Sequence, residues 1–412
     1  MDVEFISSGY GRLVALKAPA NSKKLLTLFQ KWIFDFHIAL DDGRPIPANC
    51  IDLFGAISRQ DSINFKEVQP RAPRSSLGAF ILYLAKWIPL STGVVAGGVV
   101  RYSDRLRIDI TKSKIQSVEW AVDQSFKSEF LSEVESMLVP KTFECFASAI
   151  PDIFFCKIKN NANLLPQKYI GSPDFINHSD YIKILFVDNP VEFIGFCHGG
   201  FFGEFLGNMS ENFEVNFSDE YFYWGLGSKN IRQNRFSTVP PSGKTAIKVC
   251  WIGKITPNCY IKNWFEGYDI IFNEASENLY INGIHISQEA PITFLRHPRE
   301  PKSVVDFDKV KIFSSLSQEE INDSVFVIDS PGSTFMYMAM YQNLPFVLIF
   351  NRSWRRYFST RYRDFLDFLE GEGLVLYWDD EHKISDYFSK LNRGMVYPAD
   401  LFQKCRDWLE DV

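Results

Sequence analysis

The residues best suited to chemistry lie in two short polar segments, each directly after an apolar run. After the run ITFLR comes a cationic turn, made of Arg296, His297, Pro298 and Arg299. After the run VFVID comes the loop SPGST, in which Ser333 and Thr334 precede a helical pattern. An imidazole beside guanidinium groups binds anions, and a helix N-terminus adds free N–H groups and the positive end of a dipole. Together the two segments predict a site for a nucleotide phosphate.

The loop before this helix contributes two further residues, Ser330 as a hydroxyl donor and Gly332 in a Pro-Gly turn. An ordinary helix cap or turn explains each of these polar residues taken alone. Both loops are, however, predicted at the carboxyl ends of neighbouring strands in one α/β domain, where ligands bind. The phosphate site is therefore the favoured interpretation. Lys254, just after the apolar run at 246–253, is assigned to substrate binding.

A second group of candidates lies earlier in the chain, in CHGGFFGE and around two carboxylates. His198 follows an apolar run, and Gly199 and Gly200 allow a backbone to approach a ligand closely. Glu144 lies among apolar residues in VPKTFECFA, and Asp219 precedes an aromatic run. A carboxylate in apolar surroundings is costly unless paired, and one with a perturbed pKa is a catalytic candidate. An exposed helix face explains Glu144 equally well, and an N-cap explains Asp219.

Two other patterns are interpreted as ordinary connections. The GKT at 243–245 ends like a phosphate-binding loop, but Thr238 stands where that loop needs glycine, and the segment precedes a strand instead of following one. Asp306 and Asp308 form a D-x-D in a polar connection, which indicates a solvated loop. The seven cysteines are scattered without zinc-ligand spacing. No metal site is predicted, and the thiols are expected to be reduced.

The elements that must position these residues alternate between strand and helix from about residue 150. Strands are predicted at 152–158, 182–187 and 193–197, and again at 246–253, 267–272, 293–296, 309–313, 325–328, 345–349 and 373–377. Helices are predicted at 23–39, at 124–138 (ended by Pro140), at 334–342 and at 361–370. Strands that alternate with helices favour parallel βαβ units. The chain is therefore predicted to be α/β, with a doubly wound domain over 1–242, another over 243–385 and closing helices over 386–412.

Length, charge and hydropathy exclude several classes of protein. A chain of 412 residues exceeds one ordinary domain. The net charge of −6 and the pI near 5.7 argue against nucleic acid as the main partner. The sequence begins without a signal-peptide pattern, and its apolar runs are shorter than the ~20 residues that span a bilayer. We expect a soluble cytoplasmic protein, with a peripheral membrane contact left open.

Taken in order, the motifs resemble those of a known group of enzymes. LVPKTFECF, CHGGFFGE, FSDEYFYWG, FLRHP and DSPGSTFMYMAMYQNLP are similar to segments of the GT-B-type transferases that use CMP-activated sugars. The bacterial retaining β-Kdo transferases and related surface-polysaccharide transferases resemble the chain most. The resemblance covers roughly residues 138–346. It implies a GT-B-like fold, in which two Rossmann-like domains face a central cleft.

The resemblance also implies roles for the candidate residues. His297 would contact the CMP phosphate, with Ser330, Ser333 and Thr334 binding it from the loop and helix start. Asp219 would be the nucleophile of a retaining transfer, and Glu144 the second acid or a contact to the sugar. His198 and the glycines after it would line the cleft beside the donor sugar. Glu204 and Glu211 remain open as alternatives to Asp219.

The implied reaction moves Kdo from CMP-β-Kdo to a glycan or glycolipid acceptor in bacterial lipopolysaccharide O-antigen or capsule synthesis. The CMP-sugar is a co-substrate, and no metal or other cofactor is expected. Contact with the inner membrane or with a polysaccharide-synthesis complex is left open. The alternatives are a CMP-sialic acid or CDP-glycerol type of transferase, and a non-catalytic glycan-binding module.

Overall fold

The computed structural model describes residues 1–44, 46–50, 94–96, 118–159, 167–171, 182–197, 203–223, 248–252, 271, 292–296, 310–312, 324–329, 333–398 and 400–411. The chain divides into two compact units. The first comprises Met1–His198, Asn212–Tyr221 and Asn258–Tyr260. The second comprises Gly199–Glu211, Phe222–Pro257 and Ile261–Val412. The second unit thus includes Gly199–Glu211 and Phe222–Pro257, while the predicted domain boundary between residues 242 and 243 stays a prediction.

Four helices build much of the first unit: α1 (Val3–Lys17), α2 (Ser22–Asp41), α3 (Gln124–Glu135) and α4 (Pro140–Ala149). The predicted helices at 23–39 and 124–138 are confirmed as α2 and α3. Asp123 caps α3, because its side chain accepts a hydrogen bond from the Phe126 N–H. Pro140 begins α4 instead of simply ending the helix before it, since a proline at the first helical position removes an N–H that would have no partner there.

Aromatic rings fill the core between these helices. The Tyr10 ring stacks on Phe29 with centroids 4.1 Å apart, and Phe29 meets Phe154 edge-on at 5.4 Å. Tyr10, Phe29 and Phe154 are all fully buried, and the Tyr10 hydroxyl donates to the Phe154 carbonyl at 2.9 Å. Many of the aromatic side chains of the chain therefore pack in the core.

The first unit contains a four-stranded sheet and a two-stranded one. Its elements are β1 (Val94–Ala96), β2 (Trp120–Val122), β3 (Cys156–Ile158), β4 (Lys168–Gly171), β5 (Glu192–Phe196) and β6 (Glu220–Phe222). The larger sheet has the order β1-β4-β5-β6, and β4 is parallel to both β1 and β5. Strands β2 and β3 pair antiparallel. Helix α5 (Met209–Phe217) comes directly before β6.

Two predicted strands of this unit are wrong. The run IKILFV contains a 3-10 helix over Lys183–Phe186, and the first half of DIFFCKI is a 3-10 helix over Asp152–Phe155. Only Cys156–Ile158 forms a strand. Both runs are largely buried, and a short apolar run fits any fully buried element, because its hydrophobic pattern has no period that separates strand from helix.

The second unit contains a six-stranded parallel sheet. Its strands are β7 (Lys248–Ile252), β8 (Ile292–Arg296), β9 (Val310–Ile312), β10 (Ser324–Ile328), β11 (Phe346–Phe350) and β12 (Val375–Tyr377), in the order β12-β11-β10-β7-β8-β9. Every pair is parallel. These six strands confirm six of the seven predicted after residue 245. The strand predicted at 267–272 falls outside the described residues except for Ile271, which is helical and not in a strand.

Four helices accompany this sheet: α6 (Thr334–Tyr341), α7 (Thr360–Gly371), α8 (Glu381–Asn392) and α9 (Leu401–Asp411). The predictions at 334–342 and 361–370 are confirmed as α6 and α7. The α/β class with parallel sheets is confirmed as well, and it is consistent with a GT-B-like fold. No helix within the described ranges has the length and apolar character needed to cross a membrane.

Candidate functional site

The carboxyl edge of the six-stranded sheet brings together the two segments that predict a phosphate site. In the strand register, Ile328 of β10 pairs with Ile252 of β7, and Ile252 pairs with Leu295 of β8. Arg296 ends β8 one residue beyond Leu295. The ends of β10 and β8 therefore lie at the same edge of the sheet. The sequence predicted these two strands to be neighbours, and they are not. Strand β7 separates them, which places them about 10 Å apart at the usual strand spacing.

Helix α6 starts at this edge. Ser333 has extended backbone angles, and its hydroxyl accepts a hydrogen bond from the Phe335 N–H at 3.2 Å, which makes it the N-cap. Asp329, the residue after β10, is fully buried.

The remaining members of this predicted set are only partly visible. Thr334 is the first residue of α6. His297, Pro298, Ser330 and Gly332 lie outside the described residues, as does Lys254. Lys254 comes two residues after the end of β7, the strand between the other two. Within the described part of the chain, no three His, Cys, Asp or Glu side chains lie together as metal ligands would.

The residues that follow the glycine-rich segment contact the second unit close to α6. His198, Gly199 and Gly200 themselves fall outside the described residues. Beyond them, the Tyr337 hydroxyl, one turn into α6, donates to a carboxylate oxygen of the fully buried Glu204. The structure thus joins Glu204, the last residue of CHGGFFGE, to helix α6 through one hydrogen bond. The sequence placed these segments in different domains.

Glu211, at the end of this segment, has a pKa raised above its ordinary value. Burial is the main cause, and it is partly offset by hydrogen bonds from the Gly203 N–H and the Tyr223 side chain. The Gly203 N–H lies 2.9 Å from Glu211 Oε2. A carboxylate of this kind is a functional candidate on physical grounds. The sequence offered Glu204 and Glu211 only as alternatives to Asp219.

Asp219 occupies a different setting in the first unit. Its Oδ1 atom accepts from Lys24 Nζ at 2.8 Å, its Oδ2 atom accepts from the Phe193 N–H at 2.7 Å, and its own N–H donates to the Phe193 carbonyl at 2.8 Å. The side chain remains 46% exposed. Phe193 is near the start of β5, whereas His198 follows the end of that strand. Asp219 thus contacts the start of β5, while His198 lies outside the described residues.

Glu144, the second predicted acid, lies on the exposed face of α4. Asp219 lies between α5 and β6, so separate elements of the first unit carry the two acids. An exposed helix position is one of the two interpretations that the sequence left open for Glu144. Any catalytic role for it requires a substrate that reaches this face.

Comparison with known proteins adds one distant structure. No protein family and no curated protein matches the chain. Among solved structures, spinosyn forosaminyltransferase SpnP is similar at 12% identity over 68% of this chain, with a TM-score of 0.25. The match spans 61% of that protein's own chain. A similarity of this size carries no argument about fold or activity, so the function rests on the site and the motifs.

Proposed function

We propose that this chain is a retaining glycosyltransferase that moves Kdo from CMP-β-Kdo to a saccharide acceptor. The observation that carries the proposal is the carboxyl edge of the six-stranded sheet, where the N-terminus of α6 is capped by Ser333 and β8 ends in Arg296. Ligands of parallel α/β sheets bind at this edge. A helix N-terminus and a guanidinium at that edge suit a nucleotide phosphate.

The chemistry of a CMP-sugar fits these groups. CMP leaves as an anion, so its departure is assisted by N–H donors and cations near the phosphate. We assign this work to Arg296, His297 and the start of α6, with Ser330 and Thr334 adding hydroxyls and Lys254 a further cation. The CMP-sugar is the only co-substrate in the proposal, which includes no metal. The sequence motifs support Kdo as the sugar.

Retention requires two displacements at the anomeric carbon. A carboxylate first displaces CMP and forms a glycosyl ester. An acceptor hydroxyl then displaces the carboxylate, and its proton passes to Glu144 as general base. We propose Asp219 as this nucleophile. Glu204 is fully buried and cannot touch a sugar in this conformation, whereas the Asp219 side chain is 46% exposed and is held by Lys24. Glu144 is proposed as the second acid, and His198 with Gly199 and Gly200 as contacts to the sugar.

Donor selection tests the proposed function directly. The purified chain is incubated with CMP-Kdo, CMP-sialic acid or CDP-glycerol and a labelled saccharide acceptor, and nucleotide release is measured. We expect CMP release with CMP-Kdo alone, and a rise in KM of about tenfold or more for Arg296→Met, the loss of one charge-assisted contact. Ser353→Ala on an exposed turn is the control. Release only with another donor, or with none, overturns the assignment.

Trapping of the intermediate tests the nucleophile separately. After exposure to CMP-Kdo, mass spectrometry should find a glycosyl adduct on Asp219 in the native protein or in a slowed Glu144→Gln variant. Asp219→Asn should lose turnover and the adduct together. An adduct on Glu211 or another residue, or full turnover by Asp219→Asn, contradicts this role while leaving the donor assignment intact.

A further inference from the structure

Gly203, the first described residue after the glycine-rich loop, is fixed on both of its backbone polar groups. Its N–H donates to Glu211 Oε2 at 2.9 Å, and its carbonyl accepts from the Ser359 hydroxyl at 2.8 Å. Its φ of +78° is a conformation that glycine adopts without strain. These two hydrogen bonds hold the backbone of Gly203 in place at both its N–H and its carbonyl.

Glu204 fixes the next residue of the same segment. Its carbonyl accepts from the Ser359 N–H at 2.8 Å, and its carboxylate accepts from the Tyr337 hydroxyl. The Glu204 side chain is completely buried, so this hydrogen bond has little competition from water. Arg361 of α7 interacts electrostatically with Tyr337, which adds a cation to the cluster.

The next two residues continue this attachment to the second unit. The Leu206 N–H donates to the Tyr357 carbonyl at 2.9 Å, and the Phe205 ring meets the Phe358 ring edge-on at 5.0 Å. Four consecutive residues therefore contact the chain around α7 or α6. Such a dense set of contacts exceeds what a connecting loop needs, and it fixes the segment relative to the helix whose N-terminus is the proposed phosphate site.

We infer that Glu204 and Glu211 are positioning residues, which hold the segment from Gly203 to Leu206 in place against helix α6 and the start of α7. The inference rests on the proposed function for its kinetic consequence, but the attachment itself can be measured without any substrate. Neither carboxylate is assigned a contact with the sugar. Each acts through the backbone or the tyrosine that it binds.

The choice of substitution separates positioning from catalysis. Glutamine keeps a carbonyl oxygen that can accept from the Gly203 N–H or from the Tyr337 hydroxyl, whereas leucine has the same approximate size and accepts nothing. We therefore expect Glu211→Gln and Glu204→Gln to keep kcat within about threefold of the native value. Glu211→Leu and Glu204→Leu should lower kcat by about 10- to 100-fold, as small misplacements at an active site do. A catalytic carboxylate would instead lose activity equally in both kinds of variant, and that result overturns the inference.

Hydrogen exchange supplies the measurement that does not depend on activity. In Tyr337→Phe, peptides that contain the N–H groups of Leu206 and Ser359 should exchange at least about tenfold faster than in the native protein, because those bonds open with the segment. Tyr10→Phe is the matched control, since it removes another buried tyrosine hydroxyl that has no link to this segment. Equal exchange in Tyr337→Phe and Tyr10→Phe overturns the inference. If exchange responds as expected but no nucleotide sugar is turned over by the native chain, only the proposed function fails.

Discussion

Two glutamates ten residues apart are both fully buried and both accept a hydrogen bond from a tyrosine hydroxyl, yet they organise different parts of the molecule. Glu214 accepts from Tyr221 at 2.6 Å, only seven residues further along the chain and within the first unit. Glu204 accepts from Tyr337, 133 residues away and within the second unit. The chemistry of the two pairs is the same. The difference in sequence separation decides that one pair stabilises a local turn and the other fixes a long-range attachment.

The local pair is part of the connection between α5 and β6. The Ser218 hydroxyl donates to the Glu214 carbonyl at 2.7 Å, and the exposed Asp219 follows directly. The hydrogen bonds shown for Glu214 therefore come from residues close to it in sequence. By contrast, the hydrogen bond of the Glu204 side chain comes from α6, far along the chain. Burial and a tyrosine partner alone do not reveal the role of a carboxylate; the element that carries the tyrosine does.

The substitution with the largest expected effect disrupts the packing around the Glu214–Tyr221 pair. A Cβ atom at Gly195 in β5 would lie 2.3 Å from Ser218 Oγ and 2.5 Å from Tyr221 Cδ2, which are distances that no side chain tolerates. Gly195→Ala should therefore lower the free energy of unfolding by about 3 kcal/mol or slightly less, in the range seen for overpacked cores. Urea unfolding measures this loss.

Gly371→Ala is the control for that substitution. A Cβ atom there would meet nothing within 4 Å, and the residue ends helix α7. Alanine should change stability by no more than about 1 kcal/mol, in the stabilising direction. A native-like stability for Gly195→Ala would contradict the close contact between β5 and the Glu214–Tyr221 turn. The local pair could then no longer be compared with Glu204 and Tyr337.

The next effect compares the two pairs on one scale. Tyr221→Phe and Tyr337→Phe each leave a buried carboxylate without its hydroxyl donor, so each should cost about 1–3 kcal/mol. Double-mutant cycles with Glu214→Gln and Glu204→Gln should give coupling energies of similar size, since the chemistry of the pairs is alike. A coupling near zero for Glu204 and Tyr337 alone would show that the long-range hydrogen bond does not form in solution.

The contrast between local and long-range pairs also explains what the sequence could predict. The six strands of the second sheet and the start of α6 at Ser333 follow from local signals: apolar runs, a Pro-Gly turn and a capping residue. The attachment of Glu204 to α6 has no local signal. The first 242 residues were assigned to one domain for this reason, although Gly199–Glu211 belongs to the second unit.

The candidate site also has parts that the sequence predicts and parts that it does not. The edge proposed to bind an anion is predictable from the sequence, because the carboxyl ends of parallel strands meet at one edge. Its strand order is not, since the insertion of β7 between β8 and β10 depends on the complete sheet. From the sequence, Asp219 was preferred over Glu211 as the nucleophile. Nothing in a run of residues shows that one carboxylate is half exposed and the other is enclosed by Gly203 and Tyr223.

The pH dependence of stability offers a smaller and more specific contrast. The pKa of Glu211 is raised from its ordinary value of 4.5, chiefly by burial, so the folded state binds its proton more tightly than the unfolded state. Stability from this group is complete below pH 4.5 and is lost as the pH rises through the folded pKa. Relative to Glu211→Gln, the native protein should therefore lose stability as the pH rises from about 4.5, in unfolding measured at each pH.

Asp123 in the first unit should behave in the opposite way. Hydrogen bonds from Ser125 and from the Phe126 N–H lower its pKa from 3.8 to about 2. Its contribution is present above pH 3.8 and is lost as the pH falls towards 2. Asp123→Asn should therefore flatten the acid limb of the stability profile. Opposite signs for the two variants support the contrast in their surroundings, and equal signs contradict it.

The smallest expected effect concerns the ion pair of Asp219, whose side chain is 46% exposed, with Lys24, whose side chain is 12% exposed. Lys24→Met keeps most of the aliphatic stem and removes the ammonium that lies 2.8 Å from Asp219 Oδ1. Asp219 retains its hydrogen bond from the Phe193 N–H, so stability should fall by about 1 kcal/mol or less. The loss should shrink further in high salt, because exposed charges are screened. Glu144→Gln, on an exposed helix face, should change stability by no more than about 0.5 kcal/mol.

A salt-independent loss of stability well above 1 kcal/mol for Lys24→Met would change the role that we assign to Asp219. It would show that the Asp219 carboxylate, like that of Glu214, mainly stabilises the first unit. A carboxylate whose ion pair is needed for folding is a poor candidate for a nucleophile. A small, screened loss instead leaves Asp219 as an accessible carboxylate on a rigid support, next to the buried Glu214–Tyr221 pair. That combination of a fixed backbone and an exposed carboxylate is what a nucleophile requires.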